Sequence, residues 1–209
     1  MTKTITRVYD DYASAEETVA ELQGAGLGAS HIGLVASDAE GWHRPGEKSV
    51  TPIHDKDRDG KDDRAEGAVT GGGVGVILGG AAGAAAGLGM IAIPGIGPVV
   101  AAGWLAALAT GAVGGGVAGG LIGALVESGT SKENAELYAE ALRRGGAIVT
   151  AKVSDDDEKQ FSAIMDHRAY DVTARANIWR GEGWTGYDPD APVYSADEAA
   201  RERATHNRL

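Results

Sequence analysis

The sequence predicts an α+β fold, a split ferredoxin-like domain interrupted by a long glycine-zipper helical hairpin. Three observations carry this. Residues 67–126 hold 60 consecutive positions without Asp, Glu, Lys or Arg. The two flanks are ordinary charged sequence, with net charges of −6 and −5. Within each flank, strand-period and helix-period apolar patterns alternate. The chain divides accordingly into 1–40, a βαβ first half; 41–66, an acidic linker; 67–126, the apolar hairpin; 127–179, an αβαβ second half; and 180–209, an aromatic and charged tail.

In the first half, Ile5 to Tyr9 reads as a short strand, and Ser14 with Glu17 reads as a capping box opening a helix. Ala15, Val19 and Leu22 share one face of that helix, and Gly24 and Gly26 end it. Ile32, Leu34 and Ala36 then alternate as a half-buried strand would over His31 to Ala36. Beyond the gap, Ser131 is expected to cap a helix reaching about Arg144, with Ala135, Tyr138, Ala141 and Leu142 inward and Gly145-Gly146 as its stop. Ala147 to Val153 follows as a strand. Asp155, Asp156, Asp157 and Glu158 suit the positive end of a further helix, which carries Phe161, Ile164 and Met165 on its buried face. Val172, Ala174, Ala176 and Ile178 alternate as a last strand, completing the split sheet.

The tail differs in character: Trp184, Tyr187, Pro189 and Pro192 lie in a turn-rich stretch, and Ser195 with Glu198 caps a short charged helix. So aromatic a segment is expected to lie against its own subunit or against a neighbour.

In the uncharged stretch Gly67, Gly71, Gly75, Gly79, Gly83 and Gly87 recur every fourth residue, which on a helix makes one bare ridge. A second arm repeats the device at Gly103, Gly111, Gly115, Gly119 and Gly123, with Ala107 in the one missing place. Between the arms, Ile93-Pro94-Gly95-Ile96-Gly97-Pro98 cannot continue a helix, so an antiparallel hairpin is expected. Each glycine costs about 1 kcal/mol relative to alanine in a helix interior, so the ridge needs a compensating contact. Small residues at this spacing supply one by letting two backbones approach closely. Such a ridge predicts homo-oligomerisation through these glycines. The alternative is insertion into membrane lipid, because an arm of roughly 26 residues reaches about 39 Å, enough for a bilayer. Against insertion, Gly and Ala fill 35 of the 60 positions, which weakens the apolar drive. Gly114, Gly116 and Gly119 match a dinucleotide fingerprint only formally, since no strand is predicted before them.

Composition narrows the partners. The chain has 33 Gly against one Phe, so close backbone packing must stand in for bulky side chains. A net charge of −11 opposes binding to nucleic acid, which needs a basic patch. With no Cys there is no disulfide framework. Acidic residues in the opening MTKTITRVYDDY argue against a secretory leader, so the expected location is the cytoplasm, or the inner membrane with the soluble parts facing the cytoplasm. His31, His43, His54, His167 and His206 show no two-ligand spacing, and neither a nucleophile elbow nor a phosphate loop is present. The expectation is a protein without catalysis and without a small-molecule substrate.

The linker ends in a twelve-residue run from Asp55 to Glu66 that fits a calcium-loop pattern. Asp55, Asp57, Asp59, the Lys61 carbonyl, Asp63 and Glu66 fall at ligand positions, and Gly60 at the sharp turn. Pro52 weakens the incoming helix, and Asp62 stands where an apolar residue is usual. The readings are a Ca²⁺ site or a solvated acidic linker.

Three segments carry a family resemblance: the βαβ start, the centre IPGIGPVVAAGWLAAL and the return ENAELYAEALRRGGAIVTAKV. Together they resemble the bacterial general stress or heat-induced stress proteins with a YflT-like domain, including proteins labelled low-temperature-induced. The resemblance runs to about residue 179 and implies a stress-associated, non-catalytic protein. The acidic loop and aromatic tail are not general features of that family.

The calcium reading makes a direct prediction. Titration calorimetry with Ca²⁺ should give one saturable binding event on the native chain, weaker with Mg²⁺, and none on Asp55→Ala/Glu66→Gln. Equal or absent heats in both chains would reduce the loop to a solvated linker.

Overall fold

The structure is a computed structural model and describes residues 2–41, 89–93, 96–105 and 117–206. Its elements are β1 (Thr2–Tyr9), α1 (Tyr12–Gly24), a 3₁₀ turn (Ala29–His31), β2 (Ile32–Ser37), β3 (Gly89–Ile93), β4 (Gly97–Gly103), α2 (Val117–Glu127), α3 (Lys132–Arg143), β5 (Ala147–Ser154), α4 (Glu158–Asp166), α5 (Val172–Gly181) and α6 (Ala196–His206). The fold class is α+β. One sheet of order β1-β5-β2-β4-β3 is antiparallel at every pairing. β1 and β2 therefore run parallel to each other with β5 inserted between them, Thr6 facing Thr150 on one side and Thr150 facing Gly33 on the other.

The register sorts the side chains. Ile5, Tyr9, Leu34, Val149 and Ala151 join a core under α1 and α4, while Val8, Val35, Val99, Ala101 and Ile148 join a second core under α2, α3 and α5. All six residues of β2 are buried, where alternation predicted a half-buried strand. The reason is its place between β5 and β4 with helices on both faces.

Local signals set most boundaries. α1 begins one turn earlier than the Ser14–Glu17 box implies: the cap is Asp11, whose carboxylate accepts the Ser14 N–H at 2.8 Å. Its buried residues include the expected Ala15, Val19 and Leu22. Ser131 caps α3 by accepting the Asn134 N–H at 3.2 Å. α4 buries Phe161 and Met165, as its spacing predicts.

Two expectations are corrected. The strand predicted over 172–178 is helix α5. Asp171 accepts the N–H groups of Thr173 and Ala174, and Val172, Ala176 and Trp179 form its buried i, i+4, i+7 face. The segment offers apolar residues at both periods, and the cap together with Trp179 favours the helical one. The second correction concerns the middle segment. Residues 89–93 and 97–103 are not parts of helical arms but two antiparallel strands that extend the sheet, with Ile93 opposite Gly97 and Val99, Val100 and Ala101 fully buried in β4. β-branched residues in both segments, Ile91 and Ile93 in one and Val99 and Val100 in the other, favour strands there.

Gly103 thereby changes role. It ends β4 at φ +70°, and a Cβ on it would sit 2.1 Å from the Ile32 carbonyl oxygen, so it admits the β2 backbone rather than lining a helix ridge. Gly123 on α2 is the opposite case, with nothing among the described residues within 4 Å of where a Cβ would stand. Gly103→Ala should cost more than about 1 kcal/mol through the positive φ and the backbone clash. Gly123→Ala should stabilise by roughly 0.5–1 kcal/mol through helix propensity. Urea denaturation of the two variants checks the contrast.

Candidate functional site

The buried charged residues among those described, Asp38, Glu140, Arg143 and Arg144, lie at the sheet end where β1 and β2 finish and β5 begins. The tail crosses that end. From the close of α5 the chain runs past Trp184 and Tyr187 to Val193, which lies against Gly97, and α6 then sets Ala199 against Gly145. Both glycines have positive φ, and a Cβ on either would fall within 2.6 Å of the tail residue. The tail thus lies on its own subunit, the first of the two placements its aromatic content suggests. The expected box at the start of α6 forms: the Ser195 N–H donates to Glu198 at 2.8 Å, and the Glu198 N–H donates to the Ser195 hydroxyl at 3.4 Å. The Ser195 hydroxyl also donates to the Glu198 carboxylate at 2.7 Å, and this bond, followed by the one from the Ser195 N–H, lowers the pKa of the Glu198 carboxyl.

Beneath the tail, on the last turn of α3, Glu140 is fully buried. Its carboxylate accepts from Arg143 Nε at 2.9 Å and Nη2 at 2.5 Å, and from Arg144 Nε at 2.6 Å. Burial works to lower the pKa of Arg143, but hydrogen bonding to Glu140 and its charge win, and the net shift is upward. The two guanidinium groups have donors left over, and these reach the tail. Arg143 donates to the Pro192 carbonyl at 2.8 Å; Arg144 donates to Glu202 at 3.3 Å and lies over the Trp179 ring, 4.6 Å from its centre. Both face the ring of Tyr194, at 5.0 and 5.2 Å. Trp179 Nε1 donates to the other oxygen of Glu202 at 2.6 Å. One buried carboxylate thus orients two cations, and these hold an extended segment and a helix.

Beside this cluster lies a cleft of about 380 Å³, walled by Tyr12, Glu16, Ser37 and Glu40 from the domain and by Ala199 and Arg203 from α6. Arg203 pairs with Glu40. The Tyr12 hydroxyl donates to Glu16 at 3.0 Å. Burial raises the Glu16 carboxyl, and burial with the Glu16 charge raises the Tyr12 phenol.

The predicted metal ligands Asp55, Asp57, Asp59, Lys61, Asp63 and Glu66 lie outside the described residues, as do Gly67, Gly71, Gly75, Gly79, Gly83, Gly87, Gly111 and Gly115. Of the predicted assembly glycines, Gly119 and Gly123 fall one turn apart on α2, and Gly103 ends β4. Among the described residues no group of three or more His, Asp or Glu is placed to hold a metal ion. None of their helices is long and apolar enough to cross a membrane. The Glu140–Arg143–Arg144 cluster was not anticipated. Its signal was a Glu three and four residues before a pair of Arg on a helix with an apolar face, followed by an aromatic tail able to receive them.

Comparison of the chain with protein-family models, curated proteins and solved structures finds no match. The arrangement of the site is the remaining guide.

Removing the bridging carboxylate should be costly. Glu140→Ala leaves two buried guanidinium groups without their acceptor and is expected to lose about 3–5 kcal/mol of stability, whereas Glu202→Gln keeps a neutral acceptor and should lose about 1–2 kcal/mol. Chemical denaturation followed by tryptophan fluorescence compares them.

Proposed function

We propose that this chain is a non-catalytic, stress-associated structural protein that self-assembles through the helical part of its charge-free middle segment. The observation that carries this reading is the outer face of α2. Leu121, Ala124 and Leu125 are buried on the inner side, and Gly123 and Val126, the latter 41% exposed, face outward with Ile122 half-buried between the two sides. With Gly119 one turn earlier, the outer face reads small, apolar, small, apolar, with no charge until Glu127. A helix with so little to repel a neighbour and so shallow a profile suits close packing against a second helix. The open space at Gly123 supports this reading, because none of the described residues makes use of the missing side chain.

The stress association rests on the sequence resemblance, and the calcium loop on its residue pattern. Glycine-zipper packing between copies belongs to the same proposal. Membrane insertion of the whole 67–126 stretch has less support, because residues 97–103 are spent on a strand whose Val99 and Val100 are fully buried in the domain.

The test uses the same open position. Gly119→Leu/Gly123→Leu should leave the monomer folded, since leucine is the better helix former and space is open at 123, yet separate two packed helices. Sedimentation should show an oligomer for the native chain and a monomer for the variant, with matching circular dichroism. A monomeric native chain, or an unchanged oligomer in the variant, overturns the proposal.

A further inference from the structure

The way the tail is attached differs from the way the rest of the domain is packed. Across residues 182–205 only Ala199 is buried; the others are half-buried or exposed. What holds this strap is mainly polar: the Pro192 carbonyl on Arg143, Glu202 between Arg144 and Trp179, and Arg203 on Glu40. The apolar contacts are narrow, Val193 at Gly97, Ala199 at Gly145, and Trp184 edge-on to Trp179 with ring centres 5.7 Å apart.

Two further features point to reversible attachment. Trp184 Nε1 and the Tyr187 hydroxyl are buried without a hydrogen-bond partner among the described residues, so the closed strap leaves unmade two bonds that water would supply on opening. Where the strap leaves α5, Gly181, Gly183 and Gly186 have nothing within 4 Å of a side-chain position, and the latter two have φ of +100° and +149°. The three glycines let that stretch turn with no side chain of their own to clash. The strap's inner surface, Ala199 and Arg203, is also one wall of the cleft against Tyr12, Glu16, Ser37 and Glu40.

We propose that residues 182–206 form a latch that opens as a unit about the 181–186 hinge and controls access to the cleft at the sheet end. α3 and the two cores stay folded when it opens, because no buried member of either core comes from the strap, which adds only Trp184 and Tyr187 to the edge of the second. One of its fastenings, Arg203 on Glu40, is an ion pair at partly exposed groups, so ionic strength shifts the latch toward the open state. This inference concerns a surface separate from the α2 face and stands or falls apart from self-assembly.

The chain contains no cysteine, so a single thiol reports on the cleft. Ser37→Cys places it on the cleft wall at a position 6% exposed. Neutral N-ethylmaleimide should label this thiol slowly at low salt, and at least about tenfold faster either at high salt or when Glu202→Gln and Arg203→Gln are added. Hydrogen exchange in the same samples should show residues 184–206 losing protection while α3 keeps it. Labelling at the free-thiol rate in the parent, or equal slow rates in all three conditions, overturns the latch. Faster labelling that comes with loss of protection in α3 overturns it as well, since the strap would then be part of the global fold.

Discussion

The domain depends on β5 being inserted between β1 and β2. These two strands do not pair with each other, and the β1 ladder is made to β5 alone, apart from a single bridge of Val8 to Tyr170. The strand that completes the sheet arrives roughly 110 residues after β2, yet closure entropy grows only with the logarithm of loop length. A long insertion is thus compatible with a sheet that closes around it. Insertion also requires β5 to be apolar on both faces, with Ala147, Val149 and Ala151 toward one core and Ile148 toward the other. Entry into the strand is tight: a Cβ on Gly146 would lie 2.9 Å from the carbonyl oxygens of Ala141 and Tyr9. Gly145-Gly146 is therefore both the stop of α3 and the admission point of β5.

The glycines of the middle segment serve two different physical ends. In β4, Gly103 lets one backbone approach another within the domain, and Gly97 makes room for Val193 of the tail. On α2, Gly123 makes room for nothing among the described residues. A four-residue repeat in sequence cannot distinguish these uses, because backbone approach in a sheet and in a helix pair demand the same missing Cβ. The distinction came from which residues flank the glycines. Around β4 they are Val99 and Val100, which favour a pleated, buried strand, and along α2 they are Leu121, Ala124 and Leu125, which make one helical face.

Burial of charge gives the site its character. Glu140 is tolerable inside the protein only because two arginines saturate its oxygens, and those arginines are tolerable because the tail supplies a carbonyl, a second carboxylate and aromatic rings. Such a cluster adds specificity more than net stability: it defines where the tail sits. It joins α3, which belongs to the deep core, to a strap that is nearly all surface, so a firm element and a loosely held one share the same three side chains.

By itself the sequence determined the elements of 2–37 and 131–166 and the capping box of α6, since caps, glycine stops and apolar periodicity act within a few residues and report on local geometry. It also marked the middle segment as exceptional and the tail as a docked one. The tertiary structure decided the rest. Whether Val172, Ala176 and Trp179 belong to a helix or a strand depended on a core for Trp179 to enter. Whether Gly97–Gly103 is strand or helix depended on the open edge of β2 beside it. And whether the Glu140 carboxylate faces water or protein depended on a segment some fifty residues further on folding back over it, a long-range contact that no local period encodes.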